Sequence, residues 1–272
     1  MADKDPLADI RQRIDEIDTS IQQLVSERAE CARKVAMVKR EQGNTSHFYR
    51  PEREAQVLRK VQQRNTGPLS DDAISGIFRE IMAVCLALEK PLKIAFLGPE
   101  GTYTHSAAVK HFGSQIESEP VASIEEVFRI VEAGGADFGV VPVENSSEGV
   151  INHTLDLFMK SSLTISGEVE LRIRHNLMTS MTDTDAIERV YAHQQTLAQC
   201  RLWLDNNLPN AERIAVRSNA EAVIMASEHD RTAAIAGTMA SELYDLPVMY
   251  ADIEDEPCLL YTSDAADDLY PV

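Results

Sequence analysis

The stretch LADIRQRIDEIDTSIQQLVSERAECARKVAMV, residues 7–38, decides the fold of the first part of the chain. Its apolar residues follow one another at alternating steps of three and four, which is the heptad pattern of a helix that packs along one seam. The seam consists of Leu7, Ile10, Ile14, Ile17, Ile21, Leu24, Arg28, Cys31, Val35 and Val38. A helix of this length spans roughly 50 Å. Two short neighbouring helices cannot bury such a seam, so we expect a homodimer through the first long helix.

Two shorter helices are predicted to follow. The turn-forming residues 43–46 end the first helix. Pro51 suits the first turn of a second helix, which runs to about Asn65. Ser70 is placed to cap a third helix that extends to about Leu88. The sequence therefore predicts a domain of three helices.

After Pro91 the pattern changes to short apolar runs that alternate with amphipathic stretches. This alternation is typical of a mostly parallel α/β sheet. The predicted strands cover residues 93–97, 137–143, 188–193, 213–217 and 232–236, and two of the predicted helices cover residues 123–134 and 196–207. We expect an all-α domain over residues 1–91 and an α/β domain over residues 92–257.

The composition excludes several classes of protein. With 44% apolar and 26% charged residues among 272, the chain fits an ordinary globular protein of about two domains. Its four cysteines are too scattered for a zinc site or a disulfide framework, so no metal is expected. No apolar run approaches the roughly 18 residues of a membrane span, and the charged start of the chain predicts a cytoplasmic protein. No cofactor motif occurs, and we expect no cofactor.

The formal net charge of −18 belongs entirely to the second domain. Residues 1–90 hold 15 basic and 15 acidic side chains, whereas residues 91–272 hold 11 basic and 29 acidic ones. Binding of nucleic acid needs a basic surface. We therefore exclude nucleic acid as a partner.

Arg28 interrupts the apolar seam of the first helix. An unpaired buried guanidinium is costly, so Arg28 is either solvated at the seam edge or paired with an anion. Lys39 lies about 20° away around the helix and faces the same way, whereas Arg11 lies about 100° away and would reach a groove of a partner helix. Together with Arg53 and Glu54 at the start of the second helix, these side chains form a pocket that suits a small dianion.

This arrangement of Arg11, Arg28, Lys39, Arg53 and Glu54 on three helices resembles the all-helical chorismate mutase family over residues 5–90. The resemblance implies that Arg11 reaches into the partner's site and that Arg28 and Arg53 bind the substrate carboxylates. It implies that Lys39 donates to the ether oxygen and that Glu54 holds the substrate hydroxyl. Cys85 and Glu89 correspond to further residues that line the site.

The chemistry of that family explains these residue types. Chorismate rearranges to prephenate in a pericyclic step, so the protein holds the compact conformer and stabilises negative charge on the ether oxygen. Lys39 can donate to this oxygen at any ordinary pH, whereas Glu89 can donate only while its carboxyl group is protonated. We therefore expect the mutase rate to decline as the pH rises and this proton is lost.

Polar clusters follow four predicted strands of the second domain. They are GPEGTYTH at 98–105, VPVENSSEG at 141–149, HQQTLAQC at 193–200 and SNAE at 218–221. Open α/β sheets bind ligands at the carboxyl ends of their strands, so these clusters predict a cleft. With GEVELRIRHNL at 167–177, they resemble the catalytic domain of prephenate dehydratase over residues 93–253.

The order of the two domains resembles the bifunctional chorismate mutase/prephenate dehydratase family of phenylalanine biosynthesis. The resemblance implies a dehydratase domain of two α/β lobes around a cleft, similar to periplasmic binding proteins, with chorismate and prephenate as the substrates of the whole chain. Glu144 and Asn145 are the predicted catalytic residues of this domain. Its predicted substrate-binding residues are Thr102, Ser146, Thr154, His193, Gln199 and Ser218.

The chain departs from this family at two places. Ala192 stands where the family commonly has serine, so one hydroxyl is absent. Neither the family's Asn-x-Thr-Arg-Phe motif, whose threonine is implicated in catalysis, nor its phenylalanine-sensing ACT domain follows residue 255. We interpret residues 258–272, which resemble a translated sequencing adapter, as a non-native tail. The dehydratase domain is accordingly expected to be incomplete at its C-terminal end.

Two alternatives stay open on the sequence alone. One is an active chorismate mutase joined to a defective dehydratase domain. The other is a helical dimerisation module fused to a ligand-binding domain without catalysis. The cations Arg28, Lys39 and Arg53 favour an enzyme, because a plain coiled coil would place an apolar residue at position 28.

Overall fold

The computed structural model of the chain describes residues 6–41, 49–88, 90–145 and 149–255. Three helices come first, as predicted: α1 Pro6–Glu41, α2 Pro51–Arg64 and α3 Asp71–Ala87. The described chain forms two compact units. The helical unit comprises the chain up to Leu92 together with Phe112–Glu117, and the α/β unit comprises Lys93–His111 and the chain from Ser118 onward.

The ends of α2 and α3 follow from their local sequence. Pro51 takes the first turn of α2, where its missing N–H removes no helical hydrogen bond. Asn65 adopts an extended conformation that ends α2, and its side-chain amide donates to Asp71 Oδ1 at 2.7 Å. Ser70 caps α3, since its Oγ accepts from the backbone N–H of Ala73 at 3.2 Å.

Helix α1 is covered only in its C-terminal half. The face that packs on α3 is half-buried or buried and consists of Val25, Arg28, Ala29, Ala32, Ala36 and Lys39. The aliphatic residues of the predicted seam are between 42% and 64% exposed. From Leu7 to Ile21 they continue the same face toward the start of the helix, because 18 residues make about five full turns. Arg28 and Lys39 thus share a face, as their spacing predicts.

The rest of the chain alternates strands and helices. In chain order these are β1 Lys93–Leu97, α4 Tyr103–Phe112, β2 Glu117–Val121, α5 Ile124–Glu132, β3 Phe138–Val140, β4 Glu144–Asn145, β5 Gly149–Val150, α6 Asn152–Lys160, β6 Asn176–Met178, β7 Arg189–His193, α7 Gln194–Gln199, α8 Arg201–Asn207, β8 Glu212–Val216, α9 Asn219–Glu228, β9 Thr232–Ala236, α10 Thr238–Tyr244 and β10 Val248–Tyr250. A 3-10 turn, Thr184–Ala186, precedes β7.

The main strands form two separate sheets. One has the order β2-β1-β3 and the other the order β10-β6-β9-β7-β8, while β4 and β5 form a small hairpin. Strand β1 runs parallel to β3, and β7 runs parallel to both β8 and β9. Strand β6 is antiparallel to its neighbours β9 and β10. The prediction of an α/β region is therefore confirmed, but the larger sheet is mixed rather than mostly parallel in its pairings, because β6 is reversed.

Both faces of the larger sheet are buried. Leu177, Val190 and Ile235 pack with Leu204 and Ile253 on one face. The residues next to them in the strands, Met178, Tyr191 and Ala234, pack with Val223 on the other. Because successive strand residues point to opposite faces, a strand that is covered on both sides is an uninterrupted apolar run. This is why the sequence shows β7 and β9 so clearly.

Two predicted elements were wrong in extent. The strand predicted over 137–143 stops at Val140, two residues before Pro142, which has no N–H for a sheet hydrogen bond. The helix predicted over 196–207 is divided into α7 and α8 at Cys200, whose backbone leaves the helical conformation with φ −112° and ψ 17°.

Candidate functional site

Three candidate residues of the helical unit, Arg28, Glu54 and Cys85, contact α3 or belong to it. Arg28 of α1 donates through Nη1 to the carbonyl oxygen of Ile81 at 3.4 Å. Glu54 of α2 lies against Arg79, with 3.6 Å between Oε1 and Nε. Two predicted site residues from different helices therefore contact α3 within residues 79–81. Cys85 lies one helical turn further along α3 and is buried.

Opposing effects act on the pKa of the Glu54 carboxyl group. Burial raises its pKa, while a hydrogen bond from the Tyr49 hydroxyl and the charge of the Arg79 guanidinium act in the opposite direction. Burial also raises the pKa of Tyr49, and the neighbouring Glu54 charge adds to this, so Tyr49 is a hydrogen-bond donor. A half-buried carboxylate held by two donors suits the role of accepting a substrate hydroxyl.

The other predicted residues of this unit differ in their surroundings. Arg11 and Arg53 are exposed, and Lys39 is half-buried on the α3-facing side of α1. Glu89 lies outside the described residues. Sequence reasoning missed Tyr49 and Arg79, because their link to Glu54 is a contact between neighbouring helices that leaves no motif in the sequence.

The GPEGTYTH segment forms the turn between β1 and α4. Thr102 Oγ1 lies 2.9 Å from the carbonyl oxygen of Pro99 and 3.1 Å from that of Leu97. Gly101, at φ +82°, donates its backbone N–H to Nδ1 of His105 at 3.1 Å. The other ring nitrogen, Nε2, therefore carries the proton and donates to Ser118 Oγ at 3.2 Å. Burial lowers the pKa of His105, which favours this neutral ring.

The ends of β7 and β8 come together in the larger sheet. His193 is the last residue of β7, caps α7, and donates its backbone N–H to Asn219 Oδ1 at 2.9 Å. Asn219 in turn donates through Nδ2 to Thr196 Oγ1 at 2.9 Å. Ser218 follows β8 and caps α9 through the N–H of Glu221. Both predicted residues, His193 and Ser218, thus stand at neighbouring strand ends and also stabilise helix starts.

The remaining candidates follow β3. Glu144 and Asn145 form β4, in which Glu144 pairs with Val150 of β5 and its side chain is exposed. Thr154 in α6 is fully buried, and its hydroxyl donates to the carbonyl oxygen of Pro142 at 2.7 Å. This hydrogen bond ties α6 to the segment that leads to Glu144. Ser146 lies outside the described residues.

Gln199 belongs to a buried network that sequence reasoning missed. Its Oε1 lies 2.7 Å from Nε2 of His175, and Nδ1 of His175 lies 2.9 Å from the Tyr103 hydroxyl. The network joins α4, the start of β6 and α7. Its members are 72 and 24 residues apart in the chain, so no spacing in the sequence points to them; the motifs GPEGTYTH and GEVELRIRHNL contain Tyr103 and His175 without singling them out.

Neither a metal centre nor a membrane span emerges from the part of the chain that the structure describes. Within these residues, no three His, Cys, Asp or Glu side chains are grouped so that they could hold a metal ion. None of the described helices combines the length and the apolar character needed to cross a bilayer.

Two family models match the chain in sequence order. Residues 10–90 match chorismate mutase type II, and residues 94–258 match prephenate dehydratase. Both matches agree with the enzyme interpretation, and nothing in them favours a binding module without catalysis.

Curated relatives carry both domains in one chain. A bifunctional chorismate mutase/prephenate dehydratase from Pseudomonas aeruginosa is 54% identical over 261 residues, which cover 94% of this chain and 72% of that protein. Proteins with the same description from Neisseria gonorrhoeae and Escherichia coli are 48% and 32% identical, and the matches cover 91% and 92% of this chain and 68% and 69% of theirs.

Solved structures resemble the α/β part. A prephenate dehydratase from Arthrobacter aurescens, in complex with L-Phe, superimposes with a TM-score of 0.56 at 33% identity, over 61% of this chain and 57% of that one. A prephenate dehydratase from Staphylococcus aureus gives 0.54 at 27% identity, over 62% and 63% of the two chains. Helical domain, α/β domain and relatives agree: the chain belongs to the family of bifunctional chorismate mutase/prephenate dehydratases.

Proposed function

We propose that the chain catalyses two consecutive reactions of phenylalanine biosynthesis. The helical unit rearranges chorismate to prephenate, and the α/β unit converts prephenate to phenylpyruvate. The observation that carries this proposal is the match of both family models, in this order, over residues 10–90 and 94–258.

In the mutase reaction the protein supplies positioning and charge. Arg28 and Arg53 bind the two carboxylates of chorismate, and Lys39 donates to the ether oxygen as negative charge develops there. The position of Arg28 and Lys39 on one face of α1 supports this assignment. Glu54, held by Tyr49 and Arg79, accepts the substrate hydroxyl. Cys85 packs beside the site.

Glu89 adds a second hydrogen bond to the ether oxygen while its carboxyl group is protonated. This assignment predicts a mutase rate that falls with rising pH, and a Glu89→Gln variant that keeps its rate at alkaline pH because an amide donates without titrating. A flat pH–rate profile of the unaltered protein, matching that of the variant, would refute it.

In the dehydratase reaction the ring carboxylate of prephenate leaves as CO2 and the ring hydroxyl leaves as water. Hydroxide is a poor leaving group, so an acid or hydroxyl donor must protonate it, and formation of the aromatic ring supplies the driving force. We assign this site to the strand ends that carry Glu144 and Asn145, with Thr102, Ser146, Thr154, His193, Gln199 and Ser218 as its binding residues. Glu144 and Asn145 are the first pair to test.

We further propose a homodimer that forms through the seam of α1, in the cytoplasm. The seam leaves apolar side chains from Leu7 to Val38 exposed along one face of a 36-residue helix. Exposed apolar surface of this extent marks an interface. In such a dimer the exposed Arg11 enters the site of the partner subunit.

The test follows the two reactions separately. Chorismate consumption and phenylpyruvate formation are measured with purified protein, the latter from added prephenate so that it does not depend on the mutase. Turnover of both substrates is the expected result. Turnover of chorismate alone would favour the mutase with a defective dehydratase domain, and turnover of neither would favour the binding module.

A further inference from the structure

We propose that His175 is a positioning residue of the dehydratase site: its imidazole ring holds the side-chain amide of Gln199, and Tyr103 holds the ring. The inference rests on the proposed dehydratase function and on Gln199 as a substrate-binding residue. It adds the contact that gives the Gln199 side chain its orientation.

The backbone of His175 is fixed on both sides. Its N–H donates to Glu254 Oε2 at 2.9 Å, and its carbonyl oxygen accepts from the N–H of Ile253 at 2.8 Å. The side chain is 1% exposed. Residue 175 is therefore held between the start of β6 and the segment after β10.

Both nitrogens of the ring are engaged. The partner of Nε2 is a carbonyl oxygen, Gln199 Oε1, which can only accept, so Nε2 carries a proton and donates. Nδ1 is then an acceptor, and the single proton of the Tyr103 hydroxyl is shared between Nδ1 and the carbonyl oxygen of Arg174. Rotation of the ring would break both hydrogen bonds in a buried place, where an unsatisfied polar group is costly. The ring is thus fixed, and Gln199 directs its NH2 group away from it.

Tyr103 is itself held in place. Its hydroxyl also lies 2.8 Å from the carbonyl oxygen of Arg174, and its ring approaches Gly237 so closely that a Cβ there would lie 2.9 Å from Cε1. Tyr103 directly follows Thr102, another predicted binding residue. The network therefore fixes the GPEGTY turn relative to Gln199.

The backbone of Gln199 is fixed as well. Its carbonyl oxygen accepts from the N–H of Asp255 at 2.8 Å. The Asp255 carboxylate accepts from the N–H groups of Leu202 and Trp203, which begin α8. Main chain and side chain of Gln199 are both held, which is the arrangement that a precisely placed polar contact requires.

A merely structural role would not need these polar groups. An apolar side chain can fill the same volume without the desolvation that a buried imidazole requires. The Nε2 hydrogen bond of His175 instead ends on Gln199, a side chain that is assigned to the substrate. The role of His175 is therefore to orient the side chain of Gln199.

Two substitutions at one position separate the contacts. In His175→Gln the side-chain amide nitrogen can take the place of Nε2 and still donate to Gln199. In His175→Asn the shorter amide reaches only the place of Nδ1. With prephenate as the substrate of the full chain, we expect His175→Asn to lower kcat by about 10- to 100-fold with little change in KM, and His175→Gln to restore most of the loss.

Tyr103→Phe provides a second variant that keeps the ring packing and loses only the hydroxyl. We expect a smaller loss of kcat than in His175→Asn. The mutase rate of each variant, and the dispersion of its backbone amide resonances, show that the chain is folded. An unchanged kcat in His175→Asn, or an equal loss in His175→Asn and His175→Gln, overturns the proposal.

A nitrogen-15 NMR measurement is independent of turnover. We expect the proton of His175 on Nε2, and a shift of the Gln199 side-chain amide resonance in His175→Asn that His175→Gln largely reverses. An unshifted Gln199 resonance in His175→Asn overturns the proposal. If the unaltered chain forms no phenylpyruvate, the dehydratase function fails instead, and this measurement still decides whether His175 holds Gln199.

Discussion

Glu54 illustrates how the neighbours of a single carboxyl group set the pH range of a site. Burial raises its pKa and the Arg79 guanidinium opposes that effect. Replacing Arg79 by Met removes the charge at similar length, so the pKa of Glu54 rises further and the carboxylate takes up a proton at higher pH. We expect the acidic limb of the mutase kcat/KM profile to move to higher pH, measured from about pH 5 to about pH 8.

The matched control is Arg79→Lys, which keeps a cation beside Glu54 and should leave the acidic limb close to its original position. If Arg79→Met leaves the limb in place, Glu54 does not act through its ionised form. If Arg79→Lys shifts it as far as Met does, the bidentate shape of arginine matters more than its charge.

His105 links stability to pH. Burial lowers its folded pKa below that of the unfolded chain, and only the neutral ring accepts the N–H of Gly101. Its contribution is complete above about pH 6.5 and declines as the pH falls below that value, because the unfolded chain then binds a proton that the folded chain does not. We expect the Tm of His105→Gln to fall less than that of the unaltered protein between about pH 7.5 and about pH 5.5.

Thermal unfolding followed by circular dichroism measures this difference in slope. The lowered pKa of the buried His175 acts in the same direction but is present in both proteins, so it cancels. Parallel Tm curves for the two proteins would show that His105 does not contribute to the acid sensitivity.

At the level of single residues, the sequence predicted the groups that belong to motifs and missed those that hold them. Gln199 stands in a motif and was predicted. His175, which contacts it at 2.7 Å, lies on another element and was not singled out. The same holds for Glu54 and Arg79. Contacts of this kind depend on tertiary packing, which one sequence without relatives does not reveal.

The exposed seam of α1 is the element whose role is easiest to test. Ile21 lies on the seam and Gln23 lies about 200° around the helix from it, yet both are exposed in the chain. Ile21→Glu places a charge in the proposed dimer interface, whereas Gln23→Glu adds the same charge elsewhere. We expect Ile21→Glu to give monomers by size-exclusion chromatography with light scattering, and to lower the mutase rate at least about tenfold, because Arg11 no longer reaches the partner's site.

Gln23→Glu should remain a dimer with an unchanged mutase rate, and neither variant should alter phenylpyruvate formation from prephenate. Dimers of Ile21→Glu, or equal loss of mutase activity in both variants, would place the interface elsewhere.

Among the elements, length and burial decided what the sequence could predict. The strand predicted over 232–236 is β9 to the residue, since it is an apolar run buried on both faces. Strands β6 and β10 have three residues each, too few to show a period, and were missed. The division between α7 and α8 at Cys200 is set by tertiary contacts such as the cap from Asp255, which the local helical pattern cannot predict.

The two units of the molecule predict two activities, and a single substitution should remove either one while the other remains. Arg28→Met removes a proposed ligand of the substrate carboxylates and should lower chorismate turnover by about 100-fold, with phenylpyruvate formation from added prephenate unchanged. Glu144→Gln should lower phenylpyruvate formation from prephenate and leave chorismate turnover unchanged. Both rates are measured on the same preparation of each variant, so a variant that loses both activities would contradict independent sites.

Strand β6 can pair only late during synthesis of the chain at the ribosome. Its two neighbours in the sheet, β9 and β10, are both synthesised after it. Chain growth of about 5–20 residues per second leaves Leu177 and Met178 without their strand partners for several seconds. The contacts of α1, α2 and α3 need no such wait, because these helices follow one another directly. The contacts among the three helices can therefore form first, and the pairing of β6 is complete only after Val248–Tyr250 has emerged.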